Sequence, residues 1–206
     1  LFEGNKINSS EGRIDLTAFF ETFSSLQKAI YLPSFRNIIN VGAGNYYGMQ
    51  VGTGFISLWH DWSVGGNKSS NLAIQEITED IRRIFGYEKL QIIASPGLNT
   101  LQVYINGKPY KLQELGAGIA QFILVLGNAA IRQPSFILID EPELNLHPSL
   151  QLDFLTALTT YSEKGILFAT HSIGLARAAA DKVYSVRKDG KRSIVERFEQ
   201  TGNLSE

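Results

Sequence analysis

Two apolar runs, each ending in a polar cluster, constrain this chain more than any other feature. Phe136 to Ile139 is an unbroken apolar run, stopped by Asp140 and Glu141 with Pro142 behind them. Such a run is the pattern of a strand buried on both faces of a parallel sheet. Gly165 to Thr170, GILFAT, repeats the pattern and leads into His171 and Ser172. The segment between them has helix length, so the two strands make a βαβ unit whose polar ends project to one edge. In an open α/β sheet, ligands bind beyond the carboxyl ends of the strands, which is where the carboxylates and the histidine fall. A single polar strand end merely solvates the strand. Two in one βαβ unit are placed for metal and phosphate chemistry.

These motifs carry a family resemblance. FILIDEP, from Phe136 to Pro142, resembles the Walker B strand of the ABC-type ATPases, and ATHS, from Ala169 to Ser172, resembles their histidine switch. ELNLHPSLQ, from Glu143 to Gln151, resembles the segment after Walker B in one branch of that family. That branch includes the structural-maintenance-of-chromosomes (SMC) proteins, RecF-like proteins and the overcoming-lysogenisation-defect (OLD) nucleases. LQELGAGIAQFILVL, from Leu112 to Leu126, looks like the signature motif followed by its helix. The motifs stand in the family's order between about Leu112 and Val186.

The resemblance implies an α/β fold: a P-loop NTPase-like ABC ATPase head, with a mostly parallel sheet flanked by helices and an antiparallel β meander. It implies one head domain over residues 1–206, incomplete at its N-terminus, with a helical and β insert region at 1–111 and the motif-bearing core at 112–206. ATP and Mg²⁺ are the implied ligands. Asp140 would hold the water shell of Mg²⁺, a cation that prefers oxygen ligands and keeps several waters. Glu141 would orient or deprotonate the attacking water, and His171 would contact the γ-phosphate. Gly116, Gly118 and Gln121 would belong to the signature contact with nucleotide. Signature and Walker B residues act on opposite nucleotides in this family, so a second head is an implied partner.

The signature needs glycine so that backbone amides at a helix N-terminus can approach phosphate. Gly118 matches the glycine at the helix start, whereas Gly116 replaces the usual serine and removes a hydroxyl donor. The bland reading of Leu115 to Gln121 is a tight turn capping an apolar helix. A Walker A loop, G-x-x-x-x-G-K-[ST], is absent from the sequence. Gly65 to Ser70 has the Lys-Ser pair but neither glycine in place and reads as a turn and helix cap, while Asn40 to Gly48 is glycine-rich without a lysine. The chain begins at Leu1 and its one methionine is Met49, so the Walker A segment is expected in a preceding part of a longer gene product.

Composition narrows the setting. A chain of 206 residues with 44% apolar content is long enough for one sizeable core. It has no cysteine, which excludes a disulfide framework and cysteine-based zinc sites. No run approaches the ~20 apolar residues of a membrane span and no secretory leader is visible, so a cytoplasmic setting without membrane contact is expected. The formal net charge of −1 gives no general footprint for nucleic acid. Lys182, Arg187, Lys188, Lys191 and Arg192 cluster locally, as a basic patch or as the solvated rim of a hairpin.

Along the chain, Asn5 to Glu11 reads as a loop, and Leu16 to Tyr31 as an amphipathic helix stopped by Pro33. Arg36, in YLPSFRNI, resembles an arginine near the nucleotide-binding half of the OLD-like branch; a surface or salt-bridged arginine is the alternative. Gly42 to Gly54 leads into an expected strand near Gly54 to Trp59, followed by a polar loop at His60, Asp61 and Trp62. A His-Asp pair alone falls short of the three or four ligands of a metal site. Ser70 to Phe85 reads as a helix ended by Gly86. Leu90 to Ala94, Thr100 to Ile105 and Lys108 to Leu112 form a meander around Pro96-Gly97 and Asn106-Gly107. Ala120 to Ile131 is a helix apolar on all sides, Glu143 to His147 an interface-type loop with His147 interfacial or simply a loop residue, and Pro148 to Tyr161 a helix. Asp181 to Val186 and Ser193 to Phe198 close the chain as a hairpin.

Three functions compete. The first is ATP hydrolysis by a head that dimerises around ATP and drives DNA processing or antiviral defence. The second is a catalytically incomplete head acting as a dimerisation or interaction module for a nuclease or toxin partner, favoured by Gly116. The third, a stand-alone metal nuclease built on Asp140 and Glu141, lacks any further acidic cluster.

Overall fold

In the computed structural model, which describes residues 2–3, 6–9, 12–34, 44–46 and 49–198, the chain opens with three short antiparallel strands. These are β1 (Phe2–Glu3), β2 (Lys6–Ser9) and β3 (Gly12–Asp15), with Ile7 opposite Ile14. The loop expected from Asn5 to Glu11 is therefore strand over residues 6–9. A ladder uses backbone groups, which polar residues carry as surely as apolar ones.

Helix α1 (Thr17–Gln27) ends well short of Tyr31, because Ile30–Leu32 is a strand, β4. Ile30 and Leu32 are buried in the main core, and the Ile30 amide donates to the Phe136 carbonyl at 3.0 Å. Tertiary pairing overrides the helical period at those residues. Strands β5 (Gly44–Tyr46) and β6 (Met49–Val51) form an antiparallel pair. Arg36 and most of the glycine-rich run Asn40 to Gly48 lie outside the described residues.

The strand and loop expected from Gly54 to Trp62 are instead one helix, α2 (Gly52–Val64). Phe55, Trp59 and Trp62 fall at i, i+4 and i+7, and the first two are fully buried. His60 and Asp61 are adjacent on this helix and diverge from one another, which disposes of them as a metal pair. Helix α3 (Lys68–Ile84) starts at Asn67, whose side chain accepts from the Ser69 amide at 3.0 Å. The Gly65 to Ser70 stretch is thus a turn and cap, as the sequence implied. Strands β7 (Leu90–Ser95), β8 (Thr100–Ile105) and β9 (Lys108–Lys111) make the expected meander.

The core is built on α4 (Ala117–Arg132), which buries every residue from Ile119 to Ala130. Phe122 meets Phe85 and, at 4.9 Å between ring centroids, Phe154. Gly127 is needed for close packing, since a Cβ there would lie 2.8 Å from the Phe55 ring. Asn128, fully buried, is satisfied by the backbone of β6: its side-chain oxygen accepts from the Gln50 amide at 2.7 Å, and its amide donates to the Gln50 carbonyl at 3.0 Å.

After α4 come β10 (Ile137–Asp140), α5 (Pro148–Thr160), β11 (Ile166–Ala169) and α6 (Ile173–Ala179). The hairpin of β12 (Tyr184–Asp189) and β13 (Arg192–Arg197) follows, starting later than expected and exposed along nearly its whole length. The parallel sheet has the order β11-β10-β4, flanked by helices and separate from the antiparallel sheets. Its register places Ile30, Ile137 and Ile166 on one face, with Leu32, Ile139 and Phe168. That face joins the core. The other face carries Tyr31, Leu138 and Leu167, and Leu167 is 56% exposed. The expectation of burial on both faces is corrected accordingly: among the described residues one face is buried, whereas on the other Leu138 is partly covered and Tyr31 and Leu167 are exposed.

Candidate functional site

The βαβ unit brings the polar strand ends together as its register requires. Asp140 is the last residue of β10 and sits beside Ala169 of β11. The ladder runs one bond further, from the Glu141 amide to the Ala169 carbonyl at 2.8 Å. Glu141 then turns with φ of 51°, a left-handed conformation uncommon for a residue with a side chain. Its Oε1 lies 3.3 Å from His171 Nε2. The imidazole is 91% exposed and the Glu141 side chain 24%, so the pair opens to solvent from a half-buried carboxylate.

The loop after Pro142 is a chain of tight turns. Leu144 donates to the Glu141 carbonyl at 3.1 Å and Leu146 to the Glu143 carbonyl at 3.2 Å. Leu146 is buried and anchors the loop. His147 is the N-cap of α5: its Nδ1 lies 2.9 Å from Ser149 Oγ, and Pro148 takes the first helical position.

The glycine-rich turn reaches this loop rather than the carboxylates. Gly116 is the N-cap of α4, and among the described residues nothing beyond its chain neighbours and its own helix lies within 4 Å of a Cβ placed there. A Cβ at Gly118 would stand 3.2 Å from the Asn145 carbonyl oxygen and 3.5 Å from the Leu146 side chain. Helix start and post-strand loop are therefore in direct backbone contact. Gln121 is placed one turn further along, 6% exposed, with its side-chain oxygen unpartnered among the described residues. Asp140, Glu141 and His171 are brought together, Gly116 and Gly118 adjoin the loop that follows them, and Gln121 is enclosed in the core.

Reading the sequence did not single out Glu143 or Thr170. Thr170 Oγ1 donates to Glu143 Oε1 at 2.6 Å, and the His171 amide donates to the same oxygen at 3.1 Å. The only sequence signal was that Glu143 opens the loop and Thr170 precedes the histidine.

The donor set fits a hard cation held mainly by water and phosphate. Asp140 is a half-exposed carboxylate at a strand end, and no group of three His, Asp or Glu side chains capable of holding a metal occurs among the described residues. Mg²⁺ does not call for such a group, since it binds through one or two carboxylates plus substrate phosphates.

A family described as "AAA domain, putative AbiEii toxin, Type IV TA system" matches residues 58–177, more than half of the chain. The chain belongs to this AAA-domain family. The matched part of the AAA domain runs from α2 through α6 and so contains the glycine turn, both strand ends and the loop between them. No curated protein matches the chain. A solved structure described as "Structural biochemistry of ATP-driven dimerization and DNA stimulated activation of SMC ATPases" is similar over 63% of this chain and 89% of its own. The identity is 15% and the TM-score 0.44. No helix among the described residues is long and apolar enough to cross a membrane.

Proposed function

We propose that this AAA domain carries the hydrolytic residues of an ATPase head. The observation that supports it best is the approach of Glu141 to His171, 3.3 Å apart at the ends of neighbouring parallel strands with Asp140 alongside. Phosphoryl transfer asks a protein mainly to position reactants and stabilise charge, and a rigid sheet edge serves that purpose.

In this reading Asp140 holds the water shell of Mg²⁺, which when bound neutralises phosphate charge. Glu141 accepts a proton from, or orients, the attacking water. His171, exposed and 3.3 Å from Glu141, holds the γ-phosphate end of ATP. The N-terminus of α4 at Gly116 and Gly118 offers backbone amides to the phosphate of a nucleotide on a second head, so hydrolysis proceeds in a dimer. Gln121 supports that helix start from within the core. The Walker A contribution comes from a segment beyond these 206 residues, and the head works on DNA or in antiviral defence.

The test is Glu141→Gln in the complete protein. ATP should still bind while turnover stops, and ATP-bound dimers should accumulate on size-exclusion chromatography. Unchanged turnover would contradict the role given to Glu141.

The family description favours a second reading, in which the domain acts within a toxin–antitoxin pair. There the head serves as an interaction module for a toxin or nuclease partner, consistent with the missing serine at Gly116. Wild-type complete protein that binds no nucleotide would decide for it.

A further inference from the structure

We propose that Glu143 is a positioning residue for His171, fixing where the imidazole stands relative to Glu141; this rests on the ATPase reading above. The backbone ladder between β10 and β11 ends at the Glu141 amide. Beyond it, one carboxylate continues the tie. Glu143 Oε1 accepts from both the Thr170 hydroxyl, at 2.6 Å, and the His171 amide, at 3.1 Å. Hydrogen bonds to an ionised acceptor are among the stronger ones in proteins.

The clasp extends into the next helix. Thr170 Oγ1 accepts from the Ser172 amide at 2.9 Å, and Ser172 Oγ caps α6 by accepting from the Leu175 amide at 3.2 Å. His171 is thus held on both sides through its backbone, while its ring, 91% exposed, has no packing to hold it. What remains free is rotation about its own side-chain bonds. The Cα position, and with it the reach of Nε2, is set by Glu143.

A purely structural tie is the alternative. It fits less well, because Glu143 Oε2 is buried with no hydrogen-bond partner among the described residues. Leaving such an oxygen unpaired is destabilising, a cost that a tie serving stability alone would avoid. The turns at Glu141 and Asn145, with φ of 51° and 63°, flank the carboxylate and aim it at β11. The carboxylate therefore bridges the loop after one strand and the residue that follows the other.

The experiment compares wild type, Glu143→Ala, Glu143→Gln and Thr170→Val in the complete protein. Amide exchange at His171, read by NMR without nucleotide, reports the clasp; kcat and KM for Mg-ATP report its consequence. Glu143→Ala should expose the His171 amide to exchange and lower kcat about tenfold or more with a smaller change in KM, as for a misplaced catalytic group. Glu143→Gln, which keeps an acceptor, should retain protection and most of the turnover. Thr170→Val, which keeps the amide bond, should lie between them, and it carries the test if Glu143→Ala does not fold. Unchanged exchange in Glu143→Ala overturns the clasp while leaving the ATPase reading intact. Protected amide with lost turnover in Glu143→Gln overturns positioning in favour of a direct role for the charge. Wild type without turnover overturns the ATPase reading, and the positioning role with it, whatever the exchange shows.

Discussion

Helices α4 and α1 both carry large apolar side chains and meet opposite fates. α4 buries all its residues from Ile119 to Ala130, whereas α1 buries none, and its Phe19, Phe23 and Leu26 are each more than half exposed. On α1 the rings of Phe19 and Phe23 stack on each other instead, 6.2 Å apart and nearly parallel. The difference lies in what surrounds each helix. α4 is enclosed by α2, α3, α5 and β6, while among the described residues the hydrogen bonds that tie α1 to the sheet lie near its C-terminal end, where Ser135 Oγ donates to the Ser25 carbonyl and β4 then enters the sheet. Periodicity in a sequence says that a helix has an apolar face. It does not say that the same stretch of chain supplies the cover.

The largest effect that sharpens this comparison is expected from Phe122→Ala. Phe122 is fully enclosed between Phe85 and Phe154, so its loss should destabilise the fold by about 3–5 kcal/mol in urea unfolding. Gly127→Val comes next, forcing branched methyls into the Phe55 and Trp59 rings, at about 1–3 kcal/mol by the same measurement.

Tyr161, which caps the far end of α5, gives a smaller and pH-dependent effect. Its hydroxyl donates to Asp80 of α3 at 2.9 Å, and its pKa is raised, first by burial and then by that bond and the Asp80 charge. A raised folded pKa means that the contribution is present below the ordinary value of about 10 and is lost as pH climbs through the folded value. Tyr161→Phe should therefore cost about 1 kcal/mol near neutrality and remove that part of the alkaline sensitivity, read from melting temperature against pH.

The smallest effect belongs to α1. Phe23→Ser should change stability by no more than about 0.5 kcal/mol, as at an exposed site. A loss matching that of Phe122→Ala would break the comparison by showing that α1 is covered in the protein as tested.

Legibility in the sequence followed the same division. The strands from Phe136 and Gly165, the meander after Leu90 and the helix after Gly116 were readable, because their apolar runs and turn residues agree with where the core lies. Gly54 to Trp62 was misread because glycine suggested turns, while the spacing of Phe55, Trp59 and Trp62 carried the helical period. Ile30 and Tyr31 were assigned to the wrong element because only pairing with β10 distinguishes a helix end from a strand start there. The approach of Glu141 to His171 was expected from the polar ends of two strands. The clasp of Glu143 on Thr170 and His171 was not, since it depends on turn geometry that no spacing rule encodes.

Whether the two strand ends form one hydrolytic site, as proposed, is tested most directly by a double-mutant cycle on Glu141 and His171. Mg-ATP turnover would be measured in the complete protein for Glu141→Gln, His171→Ala and the pair. Residues acting as a unit are strongly non-additive, so the double variant should be hardly slower than Glu141→Gln alone. Losses that multiply would mean that the two residues act independently, and would contradict a single site.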